Sequence, residues 1–568
     1  MKATSAVLAL VAATLAVAAL NAQVDERPIP QIVKKDGRYA LFVDGAPYLM
    51  LGAQVHNSSS WPAEASKVWP AMEYLQVNTV EMPVYWEQIE PQPGNFDFSM
   101  VDSLLAAARE HKVHLVLLWF ATWKNGSQHY MPEWMKRDLV RYPHMVGRDG
   151  EAVDSPSPHS AASLEADKTA FTAFMTHLKE ADPQRTVLMI QVENEAGAWG
   201  SVRDFSPAAQ KLFDAPVPPE LLTAMQVKAA SASATWQQAF GPNADEYFQA
   251  WSVARFIGQV AAAGKAAYPL PMYANAALRD PIHPGPAGLP GAPGAYESGG
   301  PTDNVLDIWK TAAPALDVLA PDDYQNDPVT YLKVLDLYHR DGNPMFIPET
   351  GGPANARFFF TALGLQTIGF SPFGLDYTHR AASRSLNQAD PNRPKEEFLE
   401  PWAMNYRLIG PMQREIARLN FDGKLQAVAE EQGRPTRTLP FGSWDAIVSF
   451  GAARNNRGAG NPQPAGRALV AQLGDNQFLV AGYFCRVDFR PAGTEEQRKT
   501  AAIVEGTQQN PSALIDGKWQ HRQFLRVEEG AYDNGVFKPI RIWNGDETDW
   551  GLDFGDEPIV LRVSVATY

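Results

Sequence analysis

The chain has one cysteine, Cys485, in 568 residues. An intrachain disulfide and a cysteine-rich zinc site are therefore excluded, and Cys485 reads as a small buried hydrophobe. Basic charge is short as well: 49 Lys and Arg stand against 64 Asp and Glu, a net charge of −15. No basic run offsets this, so nucleic acid is excluded as a partner, because phosphate binding wants a positive patch. No His-x-x-x-His pair or mixed cluster at metal-ligand spacing occurs. Neither a metal nor a cofactor is expected. The apolar run that opens the chain, behind Lys2 and ending near Leu20, is short and alanine-rich for a membrane span. With small and polar residues after it, it reads as a secretory signal peptide over residues 1–22. The expected location is periplasmic or secreted, with no membrane span after cleavage.

What is present in excess is aromatic: 15 Trp and 18 Tyr. Most belong in cores, but such a surplus also suits stacking on sugar rings. A long chain with ample apolar content carries more than one domain unless a barrel takes most of it.

Val187 to Val192 is a nearly unbroken aliphatic run that ends in Glu193-Asn194-Glu195 and a glycine. Such a run suits a parallel strand covered on both faces. Pro344 to Gly352 has the same design, a short apolar strand ending in Glu349. Two strand-end glutamates facing one cleft are what glycoside hydrolysis needs: one carboxyl protonates the leaving oxygen, the other attacks or activates water. Alternation along the strand gives Glu193 the parity of Glu195. It is expected one layer deeper, paired with a buried Arg or Lys.

In chain order, Gln31–Pro47 reads as a small hairpin with an Asp-Gly turn. Strands follow at Tyr48–Gln54, Asn78–Trp86, His114–Phe120, Val187 onward, Met272–Ala276, Asp317–Tyr324, Pro344–Glu349 and Gln366–Gly374, with helical spacing between them. Ala121 to Ala162 reads as a long functional loop. Asp280 to Pro301 is packed with Pro and Gly and reads as an irregular loop. This alternation predicts an α/β fold, a (β/α)8 TIM barrel over 23–421 including the hairpin. After Asp422 the helical period stops and short apolar runs alternate with Gly, Asn and Pro turns. Residues 422–568 are expected to form an all-β, sandwich-like C-terminal domain with antiparallel strands.

At these residues the chain resembles the retaining glycosidase clan that includes glycoside hydrolase family 35, the β-galactosidases. Asn194-Glu195 matches that clan's acid/base motif and Glu349 its nucleophile. The segment from Asn78 through Tyr85-Trp86, Glu90-Pro91 and Gly94 to Ser99, and the stretch Gly52–His56, resemble family 35 more specifically. Two departures mark a divergent bacterial branch, of the kind associated with removing galactose from xyloglucan side chains. Ala121-Thr122-Trp123 stands where the family has Ala-Glu-Trp, whose glutamate holds a galactose hydroxyl. Pro348-Glu349-Thr350 stands where it has Ser-Glu-Phe. The resemblance implies Glu195 as acid/base, Glu349 as nucleophile, Asn194 on the sugar 2-hydroxyl, Tyr85 as a sugar contact and Tyr324 hydrogen-bonded to the nucleophile. Trp123, Asn125 and Trp309 are candidates for stacking or hydroxyl contacts. The expected partner is a carbohydrate substrate, and the expected assembly a homodimer. The expected activity is retaining removal of terminal β-D-galactose from plant oligo- or polysaccharides. The alternatives are α-L-arabinopyranosidase or β-glucanase activity on the same scaffold, or a catalytically inactive carbohydrate-binding barrel.

Overall fold

The computed structural model describes residues 27–227, 233–283, 296–378, 396–451, 460–492, 512–515, 517–533 and 535–568. The expected signal segment and residues 284–295 of the Pro/Gly-rich loop lie outside the described residues.

The predicted barrel is present. Eight strands, Met50–Gln54, Thr79–Tyr85, His114–Lys124, Val187–Asn194, Met272–Ala277, Val318–Asp323, Ile347–Thr350 and Gly369–Pro372, pair in parallel in chain order. Gly369–Pro372 pairs back onto Met50–Gln54, so the sheet closes. The second and fourth strands are buried at every position, as expected of strands with barrel interior on one face and helices on the other. Closure brings all eight C-terminal tips to one rim, and the chain leaves each tip through a loop free to carry side chains for chemistry.

The Gln31–Pro47 hairpin gains a third strand: Gln31–Lys35, Arg38–Val43 and Ala46–Tyr48 form one antiparallel sheet. Its two turns, Asp36-Gly37 and Asp44-Gly45, hold both residues at positive φ, as a two-residue hairpin turn requires. The long loop expected from Ala121 is shorter than it reads. The third strand runs on to Lys124, and a two-stranded sheet, His144–Val146 with Ala152–Pro156, fills much of the rest. Cross-strand pairing there satisfies backbone groups that a bare loop would leave to water.

Two antiparallel sheets follow the barrel. The larger orders Leu425–Ala429, Arg467–Gly474, Gln477–Tyr483, Ile559–Thr567, Lys518–Asp533 and Ser512–Ile515, with Val536–Ile542 paired on Lys518–Asp533. The smaller orders Thr436–Phe441, Trp444–Phe450, Cys485–Pro491 and Leu552–Phe554. Apolar side chains of both sheets share one core, including Phe450, Phe478, Cys485 and Phe489, which is the predicted sandwich. Cys485 is fully buried there and its thiol donates to the Arg467 carbonyl. The other face of the larger sheet joins the barrel's own core through Leu425, Ala427, Leu469 and Leu479. The helix Phe358–Gly364 approaches so closely that a Cβ at Gly364 would stand 2.3 Å from the Ala427 carbonyl oxygen.

Candidate active site

The two strand-end glutamates meet. One carboxylate oxygen each from Glu195, Glu349 and Asp322 lie within 4.8 Å of one another at the barrel rim. Register explains half of this. Asp322 and Glu349 are direct partners on the neighbouring sixth and seventh strands, so their side chains leave the same face side by side.

Glu195 gets there by a different route. Glu193 and Glu195 both have positive φ, 64° and 44°, a conformation uncommon outside glycine that persists where surrounding structure holds it. Here the surroundings are backbone bonds from the third strand's exit: Asn125 N–H donates to the Asn194 carbonyl and Gly126 N–H to that of Glu195. The left-handed residues break the alternation on which the parity argument rested. Glu195 turns into the rim cluster. Glu193 turns away, accepts the Trp123 N–H at 2.7 Å, and lies against Asp167 of the helix Ala161–Ala181. The expected basic partner of Glu193 is thus replaced by a second carboxyl. Asp167 accepts from Trp119 and Thr122, and burial with the Asp167 charge holds the Glu193 carboxyl well above the usual range. The pair shares a proton rather than forming a salt bridge.

Each remaining rim residue has a defined partner. Glu349 accepts from Gln54 Nε2 at 2.6 Å through one oxygen and from Tyr324 Oη at 2.8 Å through the other. Asn275, on the fifth strand, accepts the Glu195 N–H at 3.0 Å and donates to Asp322 Oδ2 at 2.6 Å. The Asn194 amide, turned with its oxygen to Lys124 Nζ at 2.8 Å, lies between that ammonium and the amides of Gln191 and Asn275. Lys124 is itself buried, its ammonium 4.9 Å from the Phe120 ring centre.

These positions set the electrostatics. Burial first, and the Glu349 charge second, push the Glu195 carboxyl up to about 7, while Lys124 pulls it back down. Burial and the charges of Glu349 and Glu195 hold Asp322 well above the usual carboxylate range. Glu195 and Asp322 are thus both held toward their protonated forms.

The predicted sugar contacts divide. Tyr324 is in the cluster, its ring partly exposed and its hydroxyl on Glu349. Asn194 is in it too. Asn125 sits at the mouth, exposed, with φ 53°. Tyr85 is buried, stacked on Tyr130 at 5.2 Å and on the half-exposed Trp61 at 6.1 Å. Trp123 and Trp309 are not brought to the rim. Trp123 packs edge-on to Phe256 of the helix Ala244–Ala267, on the barrel's outside. Trp309 is fully buried and donates to the Gly299 carbonyl. Both are large apolar rings for which a helix interface was available. Sequence reasoning missed Gln54, Lys124, Asn275 and Asp322. Asp322 had a signal: the apolar sixth strand ends in carboxylates just as the fourth and seventh do.

Residues 56–251 match the Glyco_hydro_42 family, described as beta-galactosidase, and residues 402–555 match a domain of unknown function, DUF5597. Over its first matched stretch the chain is beta-galactosidase-like. A beta-galactosidase of Xanthomonas manihotis is 27% identical over 167 residues, 28% of this chain and 25% of the relative. The chain thus spans about a quarter of that relative's length. Among solved structures, a beta-galactosidase from Bacillus circulans sp. alkalophilus superposes with a TM-score of 0.46 at 13% identity, over 65% of this chain and 57% of that one. An exo-beta-1,4-mannosidase from an Opitutaceae bacterium gives 0.35 at 16%, over 60% and 54%. The family match is to glycoside hydrolase family 42, where family 35 was expected.

Proposed function

We propose that the protein is a secreted retaining exo-glycosidase that removes terminal β-D-galactose from plant oligo- or polysaccharides, xyloglucan side chains among them. The observation that carries this reading is the approach of Glu195 and Glu349, whose nearest carboxylate oxygens lie within 4.8 Å. Double displacement uses carboxyls about 5–5.5 Å apart, whereas inversion needs about 6.5–9.5 Å to admit a water between them.

The roles follow from the environments. Glu195, protonated near neutrality, donates its proton to the glycosidic oxygen as that bond to the anomeric carbon breaks. Glu349, held by Gln54 and Tyr324 with an oxygen directed at the cluster, attacks the anomeric carbon and forms a glycosyl-enzyme. Glu195, now ionised, takes a proton from water, whose oxygen displaces Glu349. Asn194 is assigned to the sugar 2-hydroxyl, a contact that strengthens as positive charge develops at the ring. The galactose assignment is supported by the match to a beta-galactosidase family. Family 35 membership and xyloglucan rest on the motifs around Tyr85 and on the departures at Thr122 and Thr350.

The test is hydrolysis of p-nitrophenyl β-D-galactoside by the full chain and by Glu349→Gly, with and without azide. Expected are turnover by the wild type, a loss of at least about a thousandfold in the variant, and partial rescue with formation of a galactosyl azide. Turnover of an arabinopyranoside or glucoside instead would keep the mechanism and discard the sugar. No turnover of any of them would discard the enzyme reading in favour of a carbohydrate-binding barrel.

A further inference from the structure

Glu297 has no part in the mechanism above, yet it stands beside it. It is buried, 2% exposed, on the segment after the fifth strand. One of its oxygens accepts from Trp199 Nε1 at 2.6 Å. The other, Oε2, is buried with no hydrogen-bond partner among the described residues. A buried carboxyl oxygen left unpaired costs stability, and a ligand group that bonds it removes that cost.

The place is built for close approach. Gly126 lies under both side chains: a Cβ there would stand 2.8 Å from Trp199 Cδ1 and 3.2 Å from Glu297 Cγ. A Cβ at Gly197 would stand 2.9 Å from the Glu297 carbonyl oxygen. Ala198 and Ser298 exchange backbone hydrogen bonds in both directions. The exits of the third, fourth and fifth strands are thus locked together, with Glu297 and Trp199 between them and Glu195 on the same segment as Trp199. Trp199 keeps 38% of its surface exposed although its indole N–H is fixed. A rigid, half-exposed indole is a stacking platform.

The sugar this pair meets follows from the order of the site. Glu195 as acid must stand at the glycosidic oxygen, between the departing group and the sugar retained on Glu349. The backbone pairing of Ala198 with Ser298 and the bond from Trp199 Nε1 to the Glu297 carboxylate fasten Glu297 to the segment that carries Glu195. It lies on the acid's side of the cleft. We infer that Glu297 and Trp199 form the leaving-group subsite: the indole face stacks on the sugar that departs, and Glu297 Oε2 hydrogen-bonds one of its hydroxyls. This rests on the glycosidase reading. It assigns the enzyme a sugar, not a small alcohol or a protein side chain, as the preferred departing group.

The experiment compares two substrates with the same glycone, β-D-galactosyl fluoride, whose leaving group is one atom, and a β-galactosyl disaccharide. kcat/KM is measured for the wild type, Glu297→Gln and Trp199→Ala. Expected is a fall of tenfold or more in the ratio of disaccharide to fluoride in each variant, with KM for the disaccharide rising. Equal losses on both substrates would place the pair in the galactose pocket or in the scaffold and overturn the inference while leaving the glycosidase intact. Trp199→Phe, which keeps a stacking face, should recover part of the disaccharide rate, and failure to do so in a folded variant counts against stacking. A wild type inactive on both substrates would remove the glycosidase reading and this inference with it.

Discussion

Tyr324 donates its hydroxyl to Glu349 Oε2 at 2.8 Å. The bond links the tip of the sixth strand to the proposed nucleophile on the seventh, and it fixes which lone pair of Glu349 faces the cluster. A hydrogen bond to a charged group is worth about 1.5–3 kcal/mol. Tyr324→Phe should therefore lower kcat/KM on an aryl galactoside by about ten- to a hundredfold. Thermal unfolding should move little, since the ring remains. Steady-state kinetics beside a melting curve separates the two effects, and an unchanged kcat/KM would remove Tyr324 from the site.

Glu193 and Glu195 are two positions apart and behave as opposites. Glu195→Gln should abolish turnover of substrates with poor leaving groups, with much weaker loss on activated aryl glycosides that need no proton. Glu193→Gln should leave kcat within about threefold on either, because an amide can take the place of the protonated carboxyl against Asp167. Loss of activity in Glu193→Gln without loss of fold would reverse the assignment.

Activity should fall as pH rises through about 7, because Glu195 must carry its proton for the first step and burial with the Glu349 charge holds it there. Lys124 favours the ionised form of Glu195. Lys124→Met removes that cation, so the Glu195 carboxyl should rise further and the alkaline limb of kcat/KM move to higher pH. A shift to lower pH, or none, would show that Lys124 does not act on the acid.

Glu81 lies inside the barrel, where it accepts from Tyr273 Oη at 2.9 Å, and burial raises it from 4.5 to about 8. The folded state thus binds a proton that the unfolded chain has released, across the window from about 4.5 to about 8. Its contribution to stability falls as pH rises through that window. Glu81→Gln keeps an acceptor for Tyr273 and cannot ionise. It should melt higher than the wild type at pH 8 and close to it near pH 5. Parallel melting curves at all pH values would show that Glu81 does not titrate in this range.

Much of this was readable because its cause is local. Strands buried on both faces leave apolar runs, and all eight barrel strands lie where strands were read. Glu195 and Glu349 stood out because a charge abruptly ends such a run. Lys124 did not, because a lysine after a tryptophan looks like any strand end turning to solvent. Gln54 and Asn275 did not, because uncharged amides in short strands look neutral until something is seen to bond them. Trp123 and Trp309 misled for the opposite reason: an aromatic ring fits a core and a sugar site equally well by type.

The sequence by itself determined the order of strands and helices, the change of texture after Asp422, and two carboxylates at the tips of the fourth and seventh strands, since hydrophobic period and chain breaks are properties of neighbours along the chain. Only the tertiary structure decided that Asp322 stands beside Glu349, that two left-handed residues send Glu193 outward and Glu195 inward, and that Glu297 and Trp199 meet over Gly126. Those relations depend on register between strands and on the approach of segments far apart in the chain, which closure of the barrel fixes and local spacing does not.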